Sequence, residues 1–180
     1  MSICIEEARF PADADAIHIL FRDYAASLRI DLSFQNFQHE LDSLPGRYSG
    51  SQGGALLIAH SSPRAYSDLS SVLNSSTERP SALGCVALRQ NYDGWAEMKR
   101  LYVIDRARGE RLGARLVESI LAQARALGYR GVRLDTLSHM TAAQALYRKY
   151  GFIEIAPYYD SPIEGTVFMS VEFSNGRIEK

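Results

Sequence analysis

Cysteine is scarce: the chain has two, Cys4 and Cys85, among 180 residues. Both lie in strand-like apolar runs and are expected to be buried free thiols. That pattern suits a reducing, cytoplasmic setting. Histidines 18, 39, 60 and 139 are scattered, and no Cys/His cluster has metal-ligand spacing, so no metal is expected. Long apolar runs are missing as well. None approaches the roughly 20 residues of a membrane span. The opening Met-Ser-Ile-Cys-Ile-Glu-Glu lacks the basic and apolar regions of a signal peptide. A strong charge of one sign is also missing. The formal net charge is -1, which argues against a nucleic-acid partner, since phosphates require a basic face.

What remains is ordinary material for one core. Apolar residues make up 46% and charged residues 23%, as in soluble globular proteins. No internal repeat or long linker divides the chain. A single domain over residues 1–174 is expected, with a frayed tail at 175–180. Residues 61–81 hold eight serines and two prolines without an apolar period. They read as a loop inserted between strands, a cheap insertion because closure entropy grows slowly with length. Its serines invite phosphorylation, but inert filler is the better explanation.

The periodicities give an ordered series. Ile3 to Ala8 reads as a strand. Asp13 is placed to cap a helix carrying Ile17, Phe21, Tyr24 and Leu28 on one face. A shorter helix is expected from Ser33 to Leu44, ended by Pro45-Gly46. Ala55 to Ala59 is a continuous apolar run suited to a central strand. Ala82 to Arg89 and Trp95 to Ile104 read as partner strands around Asp93-Gly94, a favoured hairpin pair. A helix follows over 108–127 with its preceding turn, then a strand Gly131 to Leu137 and a helix Thr141 to Tyr150. Two strands close the chain. The predicted class is α/β with a mixed, α+β-type sheet, in the order β-α-α-β-β-β-α-β-α-β-β.

The chemistry concentrates between Ala96 and Phe152. Arg108-Gly-Glu-Arg-Leu-Gly113 is a glycine-bearing turn that opens a helix. Such a turn presents free backbone N–H groups and the positive end of the helix dipole to an anion, most often a phosphate. Taken alone, the hexapeptide is better explained by an ordinary helix start. The closing helix ends in Tyr147-Arg-Lys-Tyr-Gly-Phe152.

This series resembles the acyl-CoA-binding core of the GNAT superfamily of N-acetyltransferases. The resemblance is strongest from Glu97 to Phe152 and looser toward Asp13 and Phe173. It implies a GNAT-like acyl-CoA N-acyltransferase fold, with acetyl-CoA as co-substrate. The family's turn is Arg/Gln-x-x-Gly-x-Gly/Ala. Here Arg108 and Gly113 match, while Arg111 replaces the middle glycine. Backbone donation survives that replacement if φ stays negative at Arg111, and its guanidinium either crowds the phosphate or adds a contact. The resemblance thus assigns Arg108, Gly109, Glu110, Arg111, Leu112, Gly113 and Ala114 to the diphosphate. It assigns the backbone of Leu101, Tyr102 and Val103 to the pantetheine arm.

Two residues carry the implied catalysis. Glu97 matches the strand glutamate that serves some members as general base; a solvated glutamate paired with Lys99 is the alternative. Tyr147 matches the tyrosine four residues before the closing Gly-Phe, which protonates the leaving thiolate. A phenol pKa of about 10 lies near a thiol's roughly 8.5; a core tyrosine is the alternative. Tyr150 does not match the spacing. Many members begin this last helix with Asn where this chain has Met140, with Ser138 and Thr141 nearby as caps.

The acceptor pocket is the least marked part. Asp31, Phe34 and Gln35 are candidates, as are Tyr158, Tyr159 and Asp160. The last three offer aromatic walls and one anion for a cationic amine, or form a solvated turn with one packed tyrosine. The implied acceptor is a small amine or amino acid, with a peptide or protein acceptor and a homodimer left open. An acyl-CoA-binding sensor without turnover is the competing reading, favoured by Arg111 and Met140. A dinucleotide-binding domain fits poorly, because Asp135 sits mid-strand rather than ending one.

Overall fold

The computed structural model describes residues 3–32, 36–61 and 81–173. Phe34, Gln35, most of the serine-rich segment and the tail 175–180 lie outside the described residues. The elements are β1 (Ile3–Glu7), α1 (Ala14–Leu28), α2 (Phe37–Asp42), β2 (Ala55–Ser61), β3 (Ala82–Gln90), β4 (Trp95–Val103), α3 (Leu112–Ala126), β5 (Gly131–Leu137), α4 (Thr141–Lys149), β6 (Ile153–Ile155) and β7 (Thr166–Glu172). This is the order expected from the sequence. Seven strands form one sheet, β1-β2-β3-β4-β5-β7-β6, in which only β4 and β5 run parallel.

The sheet is buried on both faces, which is why its central strands read as unbroken apolar runs. Leu57 and Ala59 of β2 turn toward α3, joining Leu112, Leu116, Val117 and Ile120 with Val86, Leu88, Met98 and Leu134. Their neighbours Leu56 and Ile58 turn the other way, toward Ile17, Leu20 and Phe21 of α1, Leu41 of α2 and Tyr48. Among the described residues no helix is long and apolar enough to cross a membrane.

Several local expectations need correction. Asp13 does not cap α1 with its side chain. Its carboxylate instead accepts from the Arg9 amide at 2.7 Å, which closes the preceding turn. The second helix is short, and Gly46 begins a 3-10 turn over Gly46–Tyr48. Neither Ser138 nor Thr141 caps α4, whose N-cap is Met140. Gln144 bonds back to the carbonyls of Leu137 and Ser138 at 2.9 and 3.1 Å. Cys85 is buried, but Cys4 is exposed, because in edge strand β1 it points to the face opposite Ile3 and Ile5, which pack on the α3-side core. The Asp93-Gly94 hairpin is present, with φ of 58° and 74° at the two positions, and Asn91 accepts from the Tyr92 amide at 2.7 Å.

Candidate active site

β4 and β5 pair only at Trp95–Gly131, Ala96–Val132 and Glu97–Arg133. Beyond that point β5 continues to pair with β7 as far as Leu137. Among the described residues the edge of β4 facing β5 is thus without a strand partner from Met98 onward. A bulge sits in this free stretch. Cys85 pairs with Tyr102 and Ala87 with Lys99, so Arg100 and Leu101 together face Val86. Arg100 takes a left-handed φ of 59°. The bulge shifts the alternation of side chains by one residue. Lys99 and Arg100 both point to the α1 side, Leu101 and Val103 pack against the α3 core, and Tyr102 packs toward α1.

Arg100 is held there by a buried ion pair. Its Nε and Nη2 donate to the two oxygens of Glu40 at 2.9 and 2.6 Å. Tyr48 donates to the same carboxylate at 2.8 Å, and the Tyr24 and Phe37 rings cover the guanidinium at 5.5 and 5.1 Å. Burial would raise the Glu40 pKa, but the hydrogen bonds and charge of Arg100 outweigh it and hold the carboxyl below its usual range.

The opening between β4 and β5 forms a narrow cleft of about 80 Å³, walled by Tyr24, Met98, Lys99, Leu101, Asp135 and Tyr147 among others. A larger cavity of about 650 Å³ adjoins it, sharing Tyr24, Leu28, Leu101, Met140 and Ala143. This cavity runs past Tyr102 and Val103 to the turn at Arg108, Gly109, Arg111 and Gly113. The turn adopts φ of 91° at Gly109 and 57° at Arg111, and α3 starts at Leu112. Arg111 therefore does not keep the negative φ on which the sequence argument rested. The middle motif position is left-handed, a conformation that costs a non-glycine residue about 1–2 kcal/mol. Even so, the amides of residues 109 to 114 have no acceptor among the described residues, as expected at a helix start. Arg111→Gly is expected to raise stability by about 0.5–1 kcal/mol, net of the flexibility glycine adds to the unfolded chain. A urea-unfolding midpoint checks this.

The other assigned turn residues divide by role. Arg108 spends its guanidinium on the loop itself, donating to the Val103 carbonyl at 3.3 Å and pairing with Asp105 at 2.9 Å. Glu110 is exposed, while the side chains of Leu112 and Ala114 are buried, leaving only their amides at the turn. His139 and Thr141 also wall the cavity. The sequence reading named Thr141 only as a cap and gave His139 no role, because only the fold brings the start of α4 opposite the start of α3.

Tyr147 is buried at the cleft, its ring centroid 5.7 Å from Phe152. Its hydroxyl has no hydrogen-bond partner among the described residues. Burial, with smaller contributions from Tyr24 and Asp135, pushes its pKa well above the ordinary phenol range. It therefore stands protonated before any reaction, and burial makes it a weaker acid than a free phenol. Tyr150 instead turns to α3 and donates to Glu118.

Glu97 is buried but not against an apolar wall. Its Oε2 takes both Nε and Nη2 of Arg89 at 2.6 Å. Its Oε1 accepts from Tyr158 at 2.9 Å, with Lys99 Nζ at 3.8 Å. Lys99 in turn donates to Asp135 Oδ1 at 2.6 Å, bridging the gap between β4 and β5. Tyr158 and Tyr159 both pack on Phe168, at centroid distances of 5.1 and 5.0 Å. With Glu97, Arg89 and Arg47 they wall a second cavity of about 580 Å³. Burial raises the pKa of both tyrosines, with Glu97 adding to it at Tyr158 and Asp135 at Tyr159. Asp160 is exposed. Asp31 is exposed too, between Ile30 and Leu32, which line the narrow cleft. Among the described residues no group of three or more His, Cys, Asp or Glu could hold a metal.

Comparison with known proteins agrees with this architecture. An uncharacterized N-acetyltransferase of Schizosaccharomyces pombe is 36% identical over 96% of both chains. A GNAT-family acetyltransferase of Staphylococcus aureus superposes with a TM-score of 0.72 at 17% identity, over 95% of this chain and 99% of the other. The yncA protein of Salmonella typhimurium, solved with its cofactor acetyl-CoA, superposes with a TM-score of 0.65 at 17% identity, over 100% and 99%. At those identities the superpositions speak for the fold. The model of the acetyltransferase (GNAT) family matches residues 53–152, from the start of β2 to the end of α4, and so spans the divided strands, the turn and Tyr147. With a relative of that identity along nearly its whole length, this chain belongs to the GNAT acetyltransferase family.

Proposed function

We propose that this protein transfers the acetyl group of acetyl-CoA to a primary amine by direct attack on the thioester. The observation that carries the proposal is one continuous arrangement: unpaired amides at the turn, the free edge of β4, and the unpartnered Tyr147 hydroxyl. Acetyl-CoA, when bound, supplies the activated acyl group and a diphosphate. The amides of residues 109 to 114 hold that diphosphate with help from the α3 dipole. The edge of β4 at Leu101, Tyr102 and Val103 bonds the pantetheine arm, and an amide of this edge polarises the carbonyl. Tyr147 gives its proton to the departing sulfur. The amine's proton goes to one of the two carboxylates that Lys99 joins, Glu97 or Asp135.

Direct transfer fits better than an enzyme-bound acyl group. Cys85 is fully buried, its thiol donates to the Arg100 carbonyl at 3.4 Å, and burial pushes its pKa far up. The acceptor enters on the side of Tyr158 and Tyr159, and a small amine or amino acid suits this compact cavity. The two free cysteines support a reducing, cytoplasmic setting.

The test is acetyl-CoA binding by calorimetry, then thiol release against a panel of amines. Release with one class of amine is expected and names the acceptor. Binding without release would favour a sensor, and absence of binding would sink the assignment of the turn. Tyr147→Phe is expected to lower kcat by about tenfold or more with acetyl-CoA affinity unchanged. Unaltered kcat would remove Tyr147 from the reaction.

A further inference from the structure

We infer that Asp135, rather than Glu97, is the carboxylate that receives the proton of the attacking amine. The inference rests on the acetyl-transfer reading. Its first ground is position. Asp135 lies on β5 two residues beyond Arg133, the last residue paired to β4, so it stands where the strands have already parted. It walls the same narrow cleft as Tyr147. Glu97 lies on the paired side of the parting and walls the cavity of Tyr158 and Tyr159 by which the acceptor enters, not the cleft that holds Tyr147.

The second ground is hydrogen-bonding capacity. Both oxygens of Glu97 are engaged, Oε2 by two Arg89 nitrogens and Oε1 by Tyr158, and its side chain is 5% exposed. In Asp135, Oδ1 takes Lys99 while Oδ2 has no hydrogen bond among the described residues, and the side chain is 14% exposed. The Tyr159 hydroxyl lies close enough to help lower the Asp135 pKa, but outside hydrogen-bond geometry. Burial works against the charged form of Asp135, but Lys99 overcomes it and keeps the group ionised.

The proton balance closes within the cleft. A neutral amine attacks the carbonyl carbon, and its nitrogen becomes acidic as the N–C bond forms. That proton passes to Asp135 as the C–S bond breaks, and Tyr147 protonates the sulfur. The proton on Asp135 then returns to the Tyr147 oxygen, so both residues end as they began. Amide and free thiol are the products. Glu97 is a positioning residue in this scheme, fixing Arg89, Tyr158 and, more loosely, Lys99.

The experiment uses the full chain and the amine found in the panel. Asp135→Asn is expected to lower kcat by about a hundredfold, with acetyl-CoA affinity within about twofold of wild type. Asp135→Glu is expected to retain activity within about tenfold of wild type, and formate is expected to restore Asp135→Ala by about tenfold or more. Glu97→Gln is expected to act more on KM than on kcat. A kcat for Asp135→Asn within about threefold of wild type would overturn the inference. So would the deeper kcat loss appearing in Glu97→Gln. If Asp135→Asn fails to bind acetyl-CoA, Asp135→Glu decides: retained activity supports the role and a loss as deep rejects it. Absence of thiol release by the wild type would strike the acetyl-transfer reading itself, which sets that failure apart.

Discussion

Glu40→Ala is expected to cost about 3–5 kcal/mol of stability, the range for removing one partner of a buried ion pair. The Arg100 side chain is 1% exposed and loses the acceptor of two donors. Its charge then stays buried without compensation, while Tyr48 also loses its acceptor. Because Arg100 occupies the left-handed position of the bulge, the loss should reach β4 and lower activity as well as the denaturation midpoint. A second readout is pH. Glu40 has a lowered pKa in the folded protein, so the unfolded chain binds its proton first as pH falls. The stability it contributes is complete above the ordinary glutamate pKa of about 4.3 and is lost as pH drops through the lower folded value. Wild type should therefore lose stability in that acidic window more steeply than Glu40→Ala. Equal slopes and equal midpoints would mean that the pair holds nothing in place.

The second large effect is expected at Gly113→Glu, which should weaken acetyl-CoA binding by about a hundredfold or more, through a carboxylate set among the amides that would receive the diphosphate. Fold stability should hardly move. A Cβ at residue 113 meets only Leu146 Cδ2, at an ordinary 3.6 Å. A negative charge in the first turn of α3 suits its dipole. Calorimetric affinity and thermal midpoint thus separate cleanly in one variant. Unchanged affinity would place the diphosphate elsewhere.

Much of this was legible in the sequence because local pattern and tertiary role coincide. Apolar runs, period-3.6 spacing and turn residues gave the order of strands and helices, and Tyr147 could be singled out by its distance from Gly151 and Phe152. The bulge was not legible. Lys99-Arg100 reads as any pair of strand cations, and only the pairing with β3 reveals that both point to one face. Asp135 was hidden for a related reason. As a mid-strand carboxylate it served only to argue against a dinucleotide site, and its place at the cleft arises because β4 departs from β5 two residues earlier. Arg111 showed as a departure from the motif, but its left-handed φ depends on how the turn meets α3. The exposure of Cys4 followed from the face of edge strand β1 to which it points rather than from its apolar neighbours.

A β-strand with an unpaired edge is ordinarily an aggregation hazard, since any passing chain can extend the ladder there. The free edge of β4 lies in the middle of the sheet, with β3 on one side and β5, tied to β7, on the other. A second protein chain, broad with side chains on both faces, has no route into so narrow a slot. A slender linear molecule threading the slot lengthwise does. The parted strands therefore act as a sieve, keeping open hydrogen-bonding groups on offer while denying them to other polypeptides.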